Sequence, residues 1–294
     1  KFFHINKWDN GEFKGDAIST TSELVKISSD GNLGLEEGQK FERGGIYRFT
    51  VDVTKGNTKA VLTVEKVGKV DLPAPDIFFG NDKMEVTDTD IYKSDQAFTQ
   101  GQMITVTGID NLNEWWIDPD FFEKQSDGAL KFLPINGDYR VTANAVLKYF
   151  SVMALKDGKP AKLQDDGTGA IWAIGKGIGK PSVASSEVGW EPGKALCLAQ
   201  VAPKKYQLTL KAGETLKTSG DPEVISFKFF HQNDWGGEFG NYASSILVEQ
   251  LKLADSGNLE MQDNKAFEEG GVYRFTIDVT NGNANADLKV EKIN

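Results

Sequence analysis

The sequence predicts an all-β protein built of tandem β-sandwich domains. Two long segments alternate between apolar and polar residues, Gly-Asn or Asn-Gly steps follow them, and helical periodicity is nearly absent. Alternation with a period of two is typical of a strand with one buried face. Two short windows, 18–27 and 243–253, are ambiguous between helix and strand. Many strands separated by turn residues favour packed sheets over a helical architecture.

The clearest strands are residues 46–53 and 272–279, where β-branched and aromatic residues alternate after a Gly-Gly step. That composition suits a pleated, half-buried surface. Short closing strands follow at 62–67 and 288–293, after turns that contain Asn and Gly. Further strands are predicted at 102–109, 139–144, 146–153, 169–175, 195–201 and 205–211.

The two ends of the chain are copies of each other. KFFH (1–4) returns at 228–231, and FERGGIYRFTVDVT (41–54) returns as FEEGGVYRFTIDVT (267–280). A separation of about 226 residues is too long for a solenoid, so the copies indicate two related domains. The second copy has an upstream half that the first lacks. The first is either a shortened domain or one whose first half lies outside these residues, and we favour the latter.

Three domains are therefore expected. They are an N-terminal β domain (1–69), a central β-sandwich (70–167) and a C-terminal β-sandwich (168–294). A linker with two prolines, residues 71–75, marks the first boundary. The central segment carries the loop NLNEWWIDPDFFEKQSDG (111–128), which is unusually aromatic for a loop.

Composition excludes several classes of function. With 43 acidic against 33 basic residues the net charge is −10, which argues against a nucleic-acid partner. The single cysteine, Cys197, allows no internal disulfide, and no apolar run approaches the ~20 residues of a membrane span. The two histidines, His4 and His231, occupy equivalent repeat positions without further metal-ligating neighbours. We expect them to be half-buried structural residues, and we expect no metal and no cofactor.

Strand 225–232 indicates a ligand surface. Its alternation places Ile225, Phe227, Phe229 and His231 towards the core, and Ser226, Lys228, Phe230 and Gln232 on the other side, exposed or covered by another part of the chain. The strand leads to a loop with Trp235. Sugar rings present C–H faces to aromatic rings and hydroxyls to polar side chains.

A second loop tryptophan, Trp190, follows Gly189 in a Gly/Pro-rich segment. Both loops follow sandwich strands, so we expect Trp190, Lys228 and Trp235 to form one binding surface, with Gln232 and Asn241 beside it. The alternatives are that Trp235 belongs to the core and that Lys228 is an ordinary solvated lysine.

Other tryptophans are weaker candidates. Trp172 lies in a buried-type strand and is expected in the core. Trp115 and Trp116 are adjacent, so one is expected in the core while the other offers a second stacking surface for a ligand. Through the repeat, Lys1 and Trp8 are the equivalents of Lys228 and Trp235.

An enzyme is the main alternative to a binding protein. Two carboxylates suffice for glycoside cleavage, and Asp118, Asp120 and Glu123 lie beside the tryptophan pair of the central loop. Acidic clusters arise by chance in so acidic a chain, so binding without catalysis is preferred. A structural or adhesive surface protein is the third hypothesis.

Motifs of the C-terminal segment resemble the SusE/SusF group of Bacteroidetes cell-surface glycan-binding lipoproteins. The similarity rests on IWAIG (171–175), Gly189-Trp190, KYQLTLKAG (205–213), FKFF (227–230) and Trp235. It covers 168–294, extends to 1–68 through the repeat, and reaches 70–167 only loosely. Some relatives of this class carry glycoside-hydrolase labels, which keeps the enzyme alternative open.

The resemblance implies immunoglobulin-like domains similar to carbohydrate-binding modules. It implies non-catalytic binding of a polysaccharide or oligosaccharide for uptake, with a loop Trp, a strand Lys and a second aromatic residue as ligand contacts. It also implies a bacterial outer-membrane surface location through a lipid anchor outside these residues. Other components of a surface uptake complex are then expected partners.

Overall fold

The computed structural model describes residues 1–5, 11–218 and 224–294, which form two compact units, 1–74 and 75–294. Both units consist of β-sheets, so the predicted all-β, sandwich-type fold is confirmed. The two ambiguous windows, 18–27 and 243–253, contain short strands rather than helices. Within the described ranges, no helix combines the length and the hydropathy of a membrane span.

The N-terminal unit contains one three-stranded sheet and one hairpin. In the sheet, strand order is β1-β5-β4, and β2 pairs with β3 in the hairpin. The core between them consists of Phe13, Ile18, Val25, Ala60 and Leu62. The strands are β1 (Ile18–Thr20), β2 (Val25–Ile27), β3 (Leu33–Leu35), β4 (Gly45–Asp52) and β5 (Ala60–Lys69).

The first part of the second unit, up to residue 163, is built on a five-stranded sheet of order β16-β15-β14-β9-β8, with two small three-stranded sheets beside it. Its core is aromatic, and Phe79 contacts the rings of Phe98, Phe122 and Phe150. A 3-10 helix spans Leu112–Glu114. The strands are β6 (Phe78–Phe79), β7 (Asp82–Lys83), β8 (Glu85–Asp88), β9 (Ile91–Phe98), β10 (Met103–Ile104), β11 (Val106–Thr107), β12 (Phe122–Lys124), β13 (Leu130–Phe132), β14 (Gly137–Asn144), β15 (Tyr149–Lys156) and β16 (Lys159–Pro160).

The rest of the second unit, from residue 168, is a two-sheet sandwich. One sheet has the order β18-β17-β22-β25-β24, with β19 also paired to β17, and the other has the order β20-β21-β26-β27-β23. The elements are β17 (Trp172–Gly179), α1 (Val183–Ser186), β18 (Glu187–Gly189), a 3-10 turn (Pro192–Lys194), β19 (Leu196–Cys197), β20 (Ala199–Ala202), β21 (Lys205–Lys211), β22 (Ser226–Phe230), β23 (Ser244–Ile246), β24 (Leu251–Leu253), β25 (Leu259–Met261), β26 (Val272–Asp278), a 3-10 turn (Asn283–Asn285) and β27 (Asp287–Lys292).

The sandwich core forms where the two sheets face each other. Phe227 of β22 contacts Phe275 of β26 edge to face, with ring centroids 5.5 Å apart. Ile225, Phe227 and Phe229 are all fully buried, as the alternation of the strand predicted. Trp172 is also in the core, where its indole N–H donates to the Ala161 carbonyl at 3.0 Å.

The internal repeat is visible strand by strand, because β1 to β5 correspond to β23 to β27. Even the hairpin turns agree: Gly31 and Gly257 both adopt positive φ. A Cβ at these positions would lie 2.0 Å from the Phe13 carbonyl oxygen and 2.5 Å from that of Phe239, so both turns require glycine. The histidines differ, since His231 is half-buried against Phe239 as predicted, whereas His4 is exposed.

Candidate functional site

The fold brings Trp190 and Trp235 together. Their ring centroids lie 6.3 Å apart with an interplanar angle of 26°, which is an offset stack. Trp235 is 50% exposed and Trp190 is half-buried. Two loops far apart in the chain thus form one aromatic surface, which we call the tryptophan surface (Trp190 and Trp235).

The Trp235 loop is held by bonds to its own neighbours. The Gln232 side-chain amide donates to the Trp235 carbonyl at 2.6 Å, and the Trp235 N–H donates to the Asp234 carboxylate at 2.7 Å. The His231 N–H then closes the loop on the Gly237 carbonyl at 2.7 Å. These bonds fix the loop backbone, so the exposed ring projects from a set position rather than from a free chain.

Phe230 supports the Trp235 ring from below. The two rings meet edge to face at 6.0 Å, and Phe230 is only 1% exposed. The second face of strand 225–232 was expected to be either exposed or covered by another part of the chain. At Phe230 it is covered. Its cross-strand neighbour is the buried Trp172. A rigid apolar base keeps Trp235 from collapsing into the core.

Lys228 lies beside β17, the strand that also pairs with β18 ahead of Trp190. Ile174 pairs with Lys228, and Gly175 pairs with Gly189. Gly189 ends β18 with a positive φ of 57°, and Trp190 follows it in a turn outside the paired strands. Lys228 is half-buried, and no carboxylate of the described residues lies within ion-pair distance of its ammonium group. The sheet that leads into the Trp190 turn therefore also carries a half-buried cation with no ion-pair partner among the described residues.

The remaining candidates differ in position. Gln232 contributes to loop structure, as described above, and Asn241 is exposed farther along the same connection. In the first copy, Lys1 forms a long ion pair with Glu12 at 3.7 Å. Trp8 lies outside the described residues.

Trp115 and Trp116 do not form an open stacking surface. Trp115 is 7% exposed and stacks on Phe150 at 4.6 Å, so its ring belongs to the core. Trp116 is half-buried, and its indole N–H donates to the Glu214 carboxylate at 2.5 Å. Trp115 is therefore the core ring of the pair and is withdrawn as a ligand contact, whereas Trp116 joins the two parts of the second unit.

A buried charge cluster lies next to Trp116. The Lys180 ammonium group bonds the Asp118 carboxylate at 2.7 and 2.8 Å and the Asp120 carboxylate at 3.0 Å. Asp120 also accepts from Gln207 at 2.8 Å and from the N–H and hydroxyl of Thr209, each at 2.6 Å. The three charged side chains are no more than 3% exposed. We call Asp118, Asp120 and Lys180 the buried triad.

The triad carboxylates differ in electrostatics. Burial opposes ionisation of Asp120, but Lys180 and the donors from Thr209 and Gln207 outweigh it and lower its pKa. Burial raises the pKa of Asp118, with repulsion from Asp120 adding to it. Burial disfavours the charged form of Lys180, yet the two carboxylates raise its pKa overall. In the cluster, protein donors therefore replace water around the charged Asp120, whereas burial disfavours the charged form of Asp118.

A cleft of about 480 Å³ opens above this cluster, between β14–β15 and the segment from α1 to β19. Asp118, Tyr149 and Lys180 contribute to its lining, and Glu187 and Lys194 bring charge to it. Cys197 also lines it, but burial raises the pKa of this thiol to about 12, so it is not a nucleophile at neutral pH. Among the described residues, no group of three His, Cys, Asp or Glu side chains is placed to hold a metal ion.

Sequence reasoning missed the structural role of the triad. Asp118, Asp120 and Glu123 are the candidate catalytic acids that the sequence indicates beside two tryptophans. Of the three, only Glu123 is exposed, and it pairs with Lys131 at 3.2 Å. Lys180 lies about sixty residues downstream and carries no motif. No local pattern links Lys180 to Asp118 and Asp120, so the sequence carries no signal of their contact.

Comparison with known families gives two matches. The family described as a domain of unknown function, DUF5121, matches residues 1–54 and 166–280, which together exceed half of the chain. A second domain of unknown function, DUF5125, matches residues 58–163 between them. The two DUF5121 segments end at equivalent positions of the repeat, residues 54 and 280, before the closing strands β5 and β27. Neither family indicates a catalytic class. No curated protein matches the chain.

Proposed function

The chain belongs to the DUF5121 family, and we propose that it binds a polysaccharide or oligosaccharide without cleaving it. The observation that carries the proposal is the tryptophan surface: two stacked rings in separate loops, half of Trp235 exposed, on a rigid apolar base. An exposed aromatic pair next to polar groups suits the alternating C–H and hydroxyl faces of a pyranose.

The polar half of the site is Lys228. Lys228 pairs with Ile174 of β17, in the sheet that leads into the Trp190 turn, and has no ion-pair partner among the described residues. A half-buried cation of this kind is available to donate to ligand hydroxyls or to a ring oxygen. Asn241 and Gln232 lie on the same connection and are proposed as further, weaker contacts.

The proposed cellular setting follows from the resemblance to SusE/SusF-like proteins. We propose a bacterial cell-surface location, held at the outer membrane by a lipid anchor outside these residues. The proposed partners are the glycan itself and other components of a surface uptake complex. Neither nucleic acid nor a cofactor enters the proposal, since the net charge of −10 disfavours a polyanion.

The first prediction tests the tryptophan surface by substitution. A glycan array on the whole chain identifies a ligand, and affinity electrophoresis or calorimetry then measures its Kd. Trp190→Ala and Trp235→Ala should each weaken binding about tenfold, since one stacked ring contributes on the order of 1–2 kcal/mol. The melting temperature should stay within a few degrees, because both rings lie at the surface.

The matched control is Met103→Ala. Met103 is 51% exposed, like Trp235, but lies on β10 in the central part of the chain. Its variant should bind as the unmodified chain does. If both tryptophan variants are folded and bind the glycan normally, the proposed site is wrong. If either variant unfolds, that ring is a structural core residue and leaves the site.

Catalysis is not proposed, because the candidate acids are engaged. Asp118 and Asp120 share the Lys180 cation and are almost fully buried, whereas a glycosidase needs two carboxylates on opposite sides of an accessible bond. Asp118 does line the cleft, so the enzyme hypothesis has a direct test. Release of reducing sugar that disappears in a folded Asp118→Asn variant would establish it. If the chain neither binds nor hydrolyses a glycan, the result favours the adhesive alternative.

A further inference from the structure

The N-terminal unit exposes an apolar face whose equivalent is buried in the C-terminal copy of the repeat. Phe49 is 40% exposed, whereas its equivalent, Phe275, is 0% exposed. Val53 is 49% exposed and its equivalent, Val279, is 0% exposed. The same contrast holds at two further pairs, Phe41 (38%) with Phe267 (3%) and Leu35 (38%) with Met261 (0%).

The cause is a difference in neighbouring strands, since these phenylalanines and valines are identical in the two copies. In the C-terminal sandwich, β26 lies between β27 and β21, and β21 pairs with it along seven residues, from Lys205 to Lys211. Within the described residues of the N-terminal unit, β4 pairs with β5 alone. One edge of β4 therefore presents unpaired backbone groups.

The second layer is open in the same way. In the C-terminal copy, β25 pairs with β22, whose Phe227 covers Phe275. In the described part of the N-terminal unit, the equivalent strand, β3, pairs only with β2. Among the described residues, both layers thus lack the strands that residues 172–227 supply to the other copy. Proteins rarely leave such sheet edges and apolar faces uncovered.

The C-terminal copy also indicates which residue types a strand paired with β4 would carry. Opposite Phe275 lies Leu208, and opposite Ile277 lies Tyr206, both fully buried. Lys205 pairs with Asp278 at 3.2 Å. Because Asp52 is the repeat equivalent of Asp278, a strand that pairs with β4 in this register should place a basic residue opposite it.

We propose that the N-terminal unit is completed by a polypeptide segment with the strand pattern of residues 166–227. That segment pairs with β4 as β21 pairs with β26, and it covers Phe49 as Phe227 and Leu208 cover Phe275. The complete N-terminal unit is then a second sandwich of the same kind as residues 168–294. The inference is independent of the glycan-binding proposal.

A fusion to the whole chain tests the inference. Residues 166–227 are appended so that Phe227 of the added segment joins Lys1, because Lys1 is the repeat equivalent of Lys228. Amide hydrogen exchange then reports on the amides of residues 45–52 that point away from β5, since the others already bond to β5. In the fused chain these amides should exchange more than about tenfold more slowly than in the unfused chain. The same fusion with Leu208→Asp and Leu210→Asp in the added segment should leave them fast.

A second experiment tests the same inference if the fused chain fails to fold. A synthetic peptide of residues 195–213, added to the unfused chain, should slow the same amides. Protection in either experiment supports the inference, and its absence from both overturns it. Slow exchange of these same free-edge amides in the unfused chain also overturns it; sedimentation analysis then shows whether a second copy of the chain is the cover.

Discussion

Replacing Lys180 with methionine should destabilise the second unit strongly. Lys180 makes three bonds of 2.7–3.0 Å to two carboxylates, and all three side chains are at most 3% exposed. Methionine keeps much of the side-chain volume but leaves Asp118 and Asp120 buried without their cation. Removing one partner of a buried ion pair costs about 3–5 kcal/mol. For a unit of this size that corresponds to a fall in melting temperature of roughly 6–20 °C.

Differential scanning calorimetry and urea unfolding measure the effect, and Lys217→Met is the matched control. Lys217 also bonds a carboxylate, that of Glu187 at 2.9 Å, but the pair is about one-third exposed. Its loss should cost less than about 1 kcal/mol. The double variant Lys180→Met/Asp118→Asn should recover part of the stability, because only Asp120 then stays charged and it keeps its Thr209 and Gln207 donors.

The pH dependence of the Lys180→Met variant adds a second readout. The pKa of Asp118 is already raised, and loss of the cation leaves burial less opposed at both carboxylates, so the folded state of the variant binds more protons than that of the unmodified chain. The variant should therefore be closest to the unmodified chain at low pH and lose stability as the pH rises. If Lys180→Met unfolds within about 1 kcal/mol of the unmodified chain at neutral pH, the triad does not stabilise the unit as reasoned here.

Three further outcomes are expected. The pKa of Asp120 is lower in the folded state than its unfolded value of 3.8, so its charge stabilises the fold above pH 3.8. That stability is lost as the pH falls towards the folded-state pKa. Asp120→Asn should therefore flatten the acid limb of a stability–pH curve. Gly257→Ala should destabilise by roughly 1–3 kcal/mol in thermal unfolding, because φ is positive and a Cβ would lie 2.5 Å from a carbonyl oxygen. Cys197, whose pKa burial raises to about 12, should resist thiol reagents at neutral pH until the chain is denatured.

Each of these outcomes has a clear opposite. An unchanged acid limb in Asp120→Asn would mean that its hydrogen bonds do not favour the charged form. Wild-type stability in Gly257→Ala would show that the turn relaxes, and Gly38→Ala serves as the comparison because nothing lies within 4 Å of its Cβ position. Rapid labelling of native Cys197 would show that the cleft admits reagents to the thiol.

Local patterns in the sequence were sufficient for the strands. Residues 46–53 and 272–279 alternate, and the structure places β4 and β26 there. Burial of Ile225, Phe227 and Phe229 also follows from alternation, because successive side chains of a strand point to opposite faces. Short elements were less clear, as in window 18–27, since two strands of three residues each mimic a helical period.

Contacts between distant segments required the tertiary structure. Local patterns and direct similarity were enough for the all-β class, the repeat and the loop positions of Trp190 and Trp235, because each depends on neighbouring residues or on a second copy. Only the fold placed those rings 6.3 Å apart and assigned Asp118 and Asp120 to Lys180. It also decided that identical residues, Phe49 and Phe275, are exposed in one copy and buried in the other, because burial depends on which strands lie alongside.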